Sequence, residues 1–235
     1  MIIDSLENKK LIADNFIKIA GFEGWNDKAL LLACEQVFSE NYSNNNLPPI
    51  DQNFVGLIFE NGVFSVIEFI TLQRCAELKQ SVDNNSDFAN LRMNQKVAFL
   101  VYHLLKKDEE HKISLRRLNN FYLGIDNFNN DLKSLALLNY IKQGFKPLNQ
   151  ALQQLYIVAD CIWNLCGDNS TDYNFYTKRL ILAKILARSY IYFTKDSSPN
   201  SELTKDFIDK QIANIVKFSR FKKSSIEKLL IIKNE

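Results

Sequence analysis

Apolar residues recur at helical spacing along nearly the whole chain. Between Ser5 and Ala20, the residues Leu6, Ile12, Ala13, Phe16, Ile17 and Ala20 fall on one face, with Gly21 as the expected stop. Trp25–Phe38 reads as a second helix. An Asn-rich loop with Pro48 and Pro49 follows, then a short helix over Phe54–Phe59. A longer helix is expected over Gly62–Gln80, ended by the polar run SVDNNSD, and another over Phe88–Lys106 with Leu91, Val97, Ala98, Val101, Leu104 and Leu105 turned inward. Shorter helices are expected over Ser114–Leu123 and Asn127–Lys142.

The clearest amphipathic pattern starts at Pro147, whose fixed φ suits a first helical turn. From there Leu148, Leu152, Leu155, Ala159, Ile162 and Cys166 alternate in steps of four and three, with Tyr156 and Trp163 alongside. The following segment, Tyr173–Phe193, is apolar nearly all round, which predicts a helix enclosed by neighbours. The polar stretch Asp196–Thr204 stops it and starts a further helix to about Phe218, and SIEKLLIIK lies near the end of the chain. Strand-like alternation and internal repeats are absent from the sequence. The pattern predicts an all-α fold of about ten helices.

Composition agrees with that reading. Only 7 Gly and 4 Pro interrupt 235 residues, enough chain for one large domain with a real core. Charge is unevenly spread. Before Arg74 there are four basic and ten acidic residues, a balance of −6 without a single Arg, so the rest of the chain carries +8 of the total +2. Phosphate contacts dominate DNA affinity, and an acidic N-terminal region repels the duplex. That argues against the rival function, a TetR-type ligand-responsive transcription regulator, and predicts no nucleic-acid partner. Cys34, Cys75, Cys161 and Cys166 lack metal or redox spacing and sit in apolar runs, as small buried thiols of a reducing compartment do. MIIDSLENKK has neither secretory nor transit character, and apolar runs fall short of a spanning helix, so a cytoplasmic location is expected.

Catalytic chemistry has little to work with. A carboxylate-bridged di-iron bundle needs Glu-x-x-His pairs. Three places before His103 stands Leu100, and three before His111 stands Asp108. Phosphate loops, nucleophile elbows and zinc spacings are missing as well. The expectation is a non-enzyme with neither cofactor nor metal.

One stretch is distinctive. GDNSTDYNFYTKR, Gly167–Arg179, closely resembles the signature G-D-x-S-T-D-x-x-W-Y-T-K-R of the ubiquinone-biosynthesis accessory proteins of the coenzyme Q nine family. Asp160, Ile162 and Trp163 before it agree with the family. So do Asp196-Ser197-Ser198, Thr204 and Phe207-Ile208-Asp209 after it. IFENGVFSVIEF at Ile58–Phe69 and Gly24-Trp25 with Ala29 and Ala33 are weaker matches. Phe175 replaces the family Trp, Glu60 replaces a Pro, and little length follows the last helix. The resemblance implies a dimeric, TetR-regulator-like helical fold that binds lipids, including isoprenoid quinone intermediates or phospholipid, in an apolar chamber. It also implies presentation of these to a di-iron quinone hydroxylase at the membrane surface, without catalysis of its own. The expected setting is a bacterial cytoplasm, peripheral on the inner face of the membrane. On this basis residues 1–73 form a degenerate helix-turn-helix-like region, 74–220 a lipid-binding and dimerisation domain, and 221–235 a short amphipathic helix.

Candidate sites follow. Ser170 or Asp172 is expected to cap the helix that starts there. Asp172, Phe175, Tyr176 and Arg179 share one side of its first turns, the make-up of a contact hot spot, and the resemblance places the family's partner patch here. The alternative is a structural aromatic anchor. Chamber-lining candidates are Leu155, Ala159, Ile162 and Trp163 on one central helix and Leu182, Ile185, Leu186 and Tyr190 on the next, where ordinary core is the competing fate. At the C-terminus Ile226, Leu229 and Leu230 with Lys222 and Lys223 have the composition of an interfacial membrane helix, and from Thr204 eight basic residues face four acidic ones; a frayed tail or a dimer-packing helix is the alternative.

Overall fold

The computed structural model describes residues 3–41, 49–122 and 146–215. Helix α1 (Leu6–Glu23) starts on Ser5, whose Oγ accepts from the Asn8 N–H at 3.2 Å, and buries Ile12, Ala13, Phe16, Ile17 and Ala20 as the periodicity requires. Gly21 does not end it. That glycine lies inside the helix against Ser114, and the stop is Gly24, whose φ of 89° suits a residue without Cβ. Next come α2 (Asp27–Asn41) and the short α3 (Gln52–Ile58), capped by Asp51 Oδ1 accepting from Phe54 N–H at 2.9 Å.

Helix α4 (Val63–Asp83) runs through Ser81-Val82-Asp83, farther than the polar run suggests. Its start is fixed from outside, because Asp27 Oδ1 accepts from Val63 N–H at 2.9 Å. Gly62 sits at φ 55°, and a Cβ there would collide with Asp27 Oδ1, so both the backbone and its neighbour demand glycine. The stretch Gln52–Asp83 is apolar enough by length and composition to cross a membrane, contrary to the expectation of no such run. The fold breaks it between Ile58 and Val63 into two helices.

A 3₁₀ turn at Phe88–Asn90 leads to α5 (Met93–Lys107), then α6 (Lys112–Tyr122), α7 (Lys146–Leu165), α8 (Asp172–Phe193) and α9 (202–215). The described residues contain no strand, and the fold is all-α. The helix expected over Asn127–Lys142 lies outside the described residues.

Two apolar cores form. The first joins α1, α2, α3 and the N-terminal half of α4, and includes Phe16, Trp25, Phe38, Phe54, Val66 and Ile67. The second joins the other half of α4 with α5, α7, α8 and α9 through Leu78, Leu100, Leu104, Ile162, Leu186 and Ile208. Helix α4 passes unbroken through positions 73 and 74, so one rigid rod serves both cores. Trp25 ties the first core to α6, with its indole Nε1 donating to Ser114 O at 2.8 Å and its ring edge-on to Phe16 at 5.1 Å.

Candidate functional site

The corner between α7 and α8 is built from GDNSTD and the residues around it. After Cys166, Gly167 takes φ 79°, its N–H reaching Asn164 O at 3.0 Å while Asp168 N–H reaches Trp163 O at 3.0 Å. This pair of bonds is a Schellman stop, and it needs a residue tolerant of the left-handed region. Ser170 does not cap α8. Its Oγ donates to Asp168 Oδ2 at 2.5 Å, and the N-cap position is held by Thr171, which makes no side-chain cap bond. Asp168 also accepts from Lys178 Nζ at 2.6 Å. Burial opposes ionisation there, but the bonds from Lys178 and Ser170 outweigh it and hold the carboxyl below its ordinary value.

Arg179 is the centre of this corner and is 1% exposed. Its Nε lies 2.5 Å from Asp160 Oδ1, Nη1 is 3.5 Å from Asp168 Oδ2 and donates to Phe175 O at 3.1 Å, and Nη2 reaches Asn164 Oδ1 at 3.5 Å. The guanidinium also stacks on the Phe175 ring, 3.3 Å from its centroid. Arg179 was expected on an exposed contact patch. The structure buries it because α7, lying beside α8, brings Asp160 over it and the corner after α7 brings Asp168. Phe175 is half-buried on top of it, and the Asp172 side chain lies outside the described residues. Tyr176 is exposed, edge-on to Phe175 at 5.2 Å. With it on the outer face of α8 stand Tyr173, 81% exposed, and Leu180, 61% exposed. These two complete an i, i+3, i+7 row that helical spacing alone could have shown. Thus α8 is not enclosed all round, and part of its apolar surplus faces outward.

The second feature is a cavity of about 240 Å³ at the seam between the two cores. Ile17, Trp25, Ile67 and Ile70 wall it from one side, Leu104, Leu115, Leu155 and Val158 from the other. Of the predicted lining residues, Leu155 and Tyr190 reach it. Ala159, Ile162, Leu182, Ile185 and Leu186 are instead packed in the second core, and Trp163 stands at the corner with its Nε1 donating to Lys178 O at 3.1 Å. The division runs along the helix: the first half of the α7 stripe, Leu148, Leu152 and Leu155, borders the opening, while its later half, Ala159 and Ile162, packs into the second core. At its rim Leu148 and Leu152, the first members of that stripe, are partly exposed.

Polar groups in the cavity wall are few. Arg74 places Nε and Nη2 on Asp108 Oδ1 at 3.1 and 2.7 Å, and Nη1 on Glu77 Oε1 and Oε2 at 3.2 and 3.0 Å. Burial pushes the Asp108 carboxyl up, and Arg74 offsets this only in part. Burial also pushes the Tyr190 hydroxyl up, keeping it protonated. Gln154 is 6% exposed and neither its Nε2 nor its Oε1 has a hydrogen-bond partner. Sequence reasoning passed over it, although a Gln between Ala151 and Val158 on an apolar face was visible. Among the described residues no group of three or more His, Cys, Asp or Glu could hold a metal ion. The membrane candidates Lys222, Lys223, Ile226, Leu229 and Leu230 lie outside the described residues.

Residues 148–219, which carry the corner and much of the cavity wall, match the COQ9 family model. Over most of its length the chain is similar to the probable mitochondrial ubiquinone biosynthesis protein coq9 of Dictyostelium discoideum, 25% identical across 92% of this chain and 62% of the relative. The mitochondrial ubiquinone biosynthesis protein COQ9 of Drosophila melanogaster is 23% identical across 91% of this chain and 56% of its own length. The Rattus norvegicus protein of the same name is 36% identical over 80 residues, 34% of this chain and 24% of the relative. The chain thus spans about three fifths or less of the length of these relatives. All three are mitochondrial proteins of eukaryotes, which lends no support to the bacterial cytoplasm expected from sequence.

Proposed function

We propose, from the match of residues 148–219 to the COQ9 family model, that the chain is a COQ9-family protein and a lipid-binding accessory protein of ubiquinone biosynthesis. It takes up an isoprenoid quinone intermediate and presents it to the di-iron hydroxylase of the pathway, and it carries out no chemistry itself. The observation that carries this reading is the apolar cavity at the seam, walled by both cores and reached by Leu155 and Tyr190 from the family segment. Burial of an isoprene tail contributes about 0.8 kcal/mol per CH₂, so a guest of this kind gains affinity from apolar contact alone. The partner surface in this reading is the outer row Tyr173, Tyr176 and Leu180, with Phe175 behind it, and Arg179 supports the row from beneath without touching a partner. A second copy of the chain, in a homodimer, belongs to the same proposal.

Organic extraction and mass spectrometry of the purified protein test the cargo: a co-purified isoprenoid quinone or its precursor is expected, and protein free of any lipid refutes the reading. For the partner, Tyr176→Lys is expected to abolish capture of the hydroxylase at an unchanged melting temperature. By sequence pattern, Lys222, Lys223, Ile226, Leu229 and Leu230 supply the membrane contact. Equal flotation of wild type and Leu229→Glu with anionic liposomes counts against that part.

A further inference from the structure

Two of the four cysteines depart from the inert, buried thiols that the sequence led us to expect. Cys34 and Cys166 are buried, whereas Cys75 and Cys161 are each partly exposed, and all four are free. Cys75 stands on α4 and Cys161 on α7, 86 positions apart, and the packing of these two helices brings them together. Cys161 Sγ donates to Cys75 O at 3.8 Å, and the two thiols also hydrogen-bond to each other. With the Cys161 proton directed at that carbonyl, Cys75 is the donor of the pair and the Cys161 sulfur the acceptor.

This order makes the two sulfurs unequal. The bond to Cys161, and then burial, push the Cys75 thiol up. The same bond holds Cys161 below its ordinary value, against burial and the neighbouring Asp160 carboxylate. Asp160 is itself engaged by Arg179. The thiolate is the nucleophile of cysteine chemistry, so Cys161 is the sulfur that attacks and Cys75 the one that resolves. Their surroundings give the pair a consequence. Helices α4 and α7 both wall the seam cavity, with Arg74 beside Cys75 and Val158 one turn before Cys161. A covalent tie here fixes two walls of that cavity against each other.

We propose that Cys75 and Cys161 are an oxidisable dithiol, at which hydrogen peroxide forms a disulfide that ties α4 to α7. The Cys161 thiolate attacks one peroxide oxygen and the O–O bond breaks. The departing hydroxide takes up the proton that Cys161 had released, leaving as water, and Cys161 becomes a sulfenic acid. The Cys75 sulfur then attacks the Cys161 sulfur. The S–S bond forms as the S–O bond breaks, and the hydroxyl leaves with the Cys75 proton as a second water. Two thiols have lost two electrons and two protons, and one peroxide has become two waters. The proposal is independent of the cargo reading above.

The test treats the whole native protein with hydrogen peroxide, then unfolds it and labels the remaining thiols with N-ethylmaleimide for intact-mass and peptide analysis. Labelling is expected to fall from four thiols to two, with a Cys75–Cys161 linkage in the digest and full recovery after dithiothreitol. The bridge constrains the unfolded chain over a long loop, so the oxidised protein should melt roughly 5–15 °C higher than the reduced one. Cys75→Ser is expected to leave a sulfenic acid at Cys161 that dimedone traps, while Cys161→Ser leaves Cys75 reduced; neither variant should gain melting temperature on oxidation. Four thiols still free in the peroxide-treated native protein overturn the proposal, and so does a linkage that forms only in urea or joins another pair. An oxidised protein that melts lower than the reduced one refutes a bridge between native α4 and α7. A dimedone adduct at Cys75 in Cys161→Ser, with none at Cys161 in Cys75→Ser, overturns the assignment of Cys161 as the attacking thiol.

Discussion

Replacing Arg179 by Met separates a structural strut from a contact residue. The substitution keeps an unbranched chain of similar reach and removes the charge. Removing one partner of a buried ion pair costs about 3–5 kcal/mol. Two details place the expected cost near the lower end. Asp160 is 38% exposed on its side chain and rehydrates once abandoned, while Asp168, 3% exposed, keeps Lys178 at 2.6 Å. Loss of the stack on Phe175 adds about 0.5–2 kcal/mol, so we expect a cost of roughly 3.5–5 kcal/mol in all. For a chain of this size each kcal/mol moves the melting temperature by about 2–4 °C, giving a fall of roughly 10 °C. Circular dichroism melts of Arg179→Met and Tyr176→Lys beside wild type are the assay. The exposed Tyr176 variant should stay within about 0.5 kcal/mol of wild type. If Arg179→Met melts with wild type yet loses the hydroxylase, the burial argument is wrong and Arg179 is a contact residue after all.

Asp196 gives a pH dependence. Burial raises its pKa, but hydrogen bonds from the N–H and hydroxyl groups of Ser198 and Thr204 outweigh this and hold it at about 2. Because the folded value lies below the unfolded value of about 3.9, this contribution is whole above pH 4 or so and is lost as pH falls towards about 2, some 2 kcal/mol in all. Urea denaturation across that window should show this loss in wild type and most of it missing in Asp196→Asn; identical slopes count against it. Gly62→Ala forces a Cβ into a left-handed backbone against Asp27 Oδ1 and should cost at least about 2 kcal/mol, read by the same denaturation. Cys34 and Cys166, both pushed up to about 12 by burial, should resist iodoacetamide in the native protein near neutral pH, and intact-mass labelling of either within minutes would contradict their burial.

What the amino-acid order determined by itself is local. The period of apolar residues marked α1 and the other helices, because a 3.6-residue repeat belongs to one helix and needs no neighbour. GDNSTDYNFYTKR was likewise visible as a motif, whereas Gly167 as the stop of α7 emerged only from the backbone. Tertiary structure alone decided what these elements do together. Arg179 shares a side with Phe175 and Tyr176 by spacing, but whether it meets water depends on α7 bringing Asp160, and the corner after it bringing Asp168, over the guanidinium. The stripe Ala159–Ile162 could line a chamber or fill a core with equal ease, and the crossing of α7 on α8 made it core. The cavity opened instead where α1, α4, α6, α7 and α8 fail to close on one another, bringing Trp25, Arg74, Asp108, Leu115, Gln154 and Tyr190 from distant parts of the chain to one wall. Periodicity is written in one segment at a time, whereas a void or a buried charge cluster depends on the angle and rotation at which several helices meet.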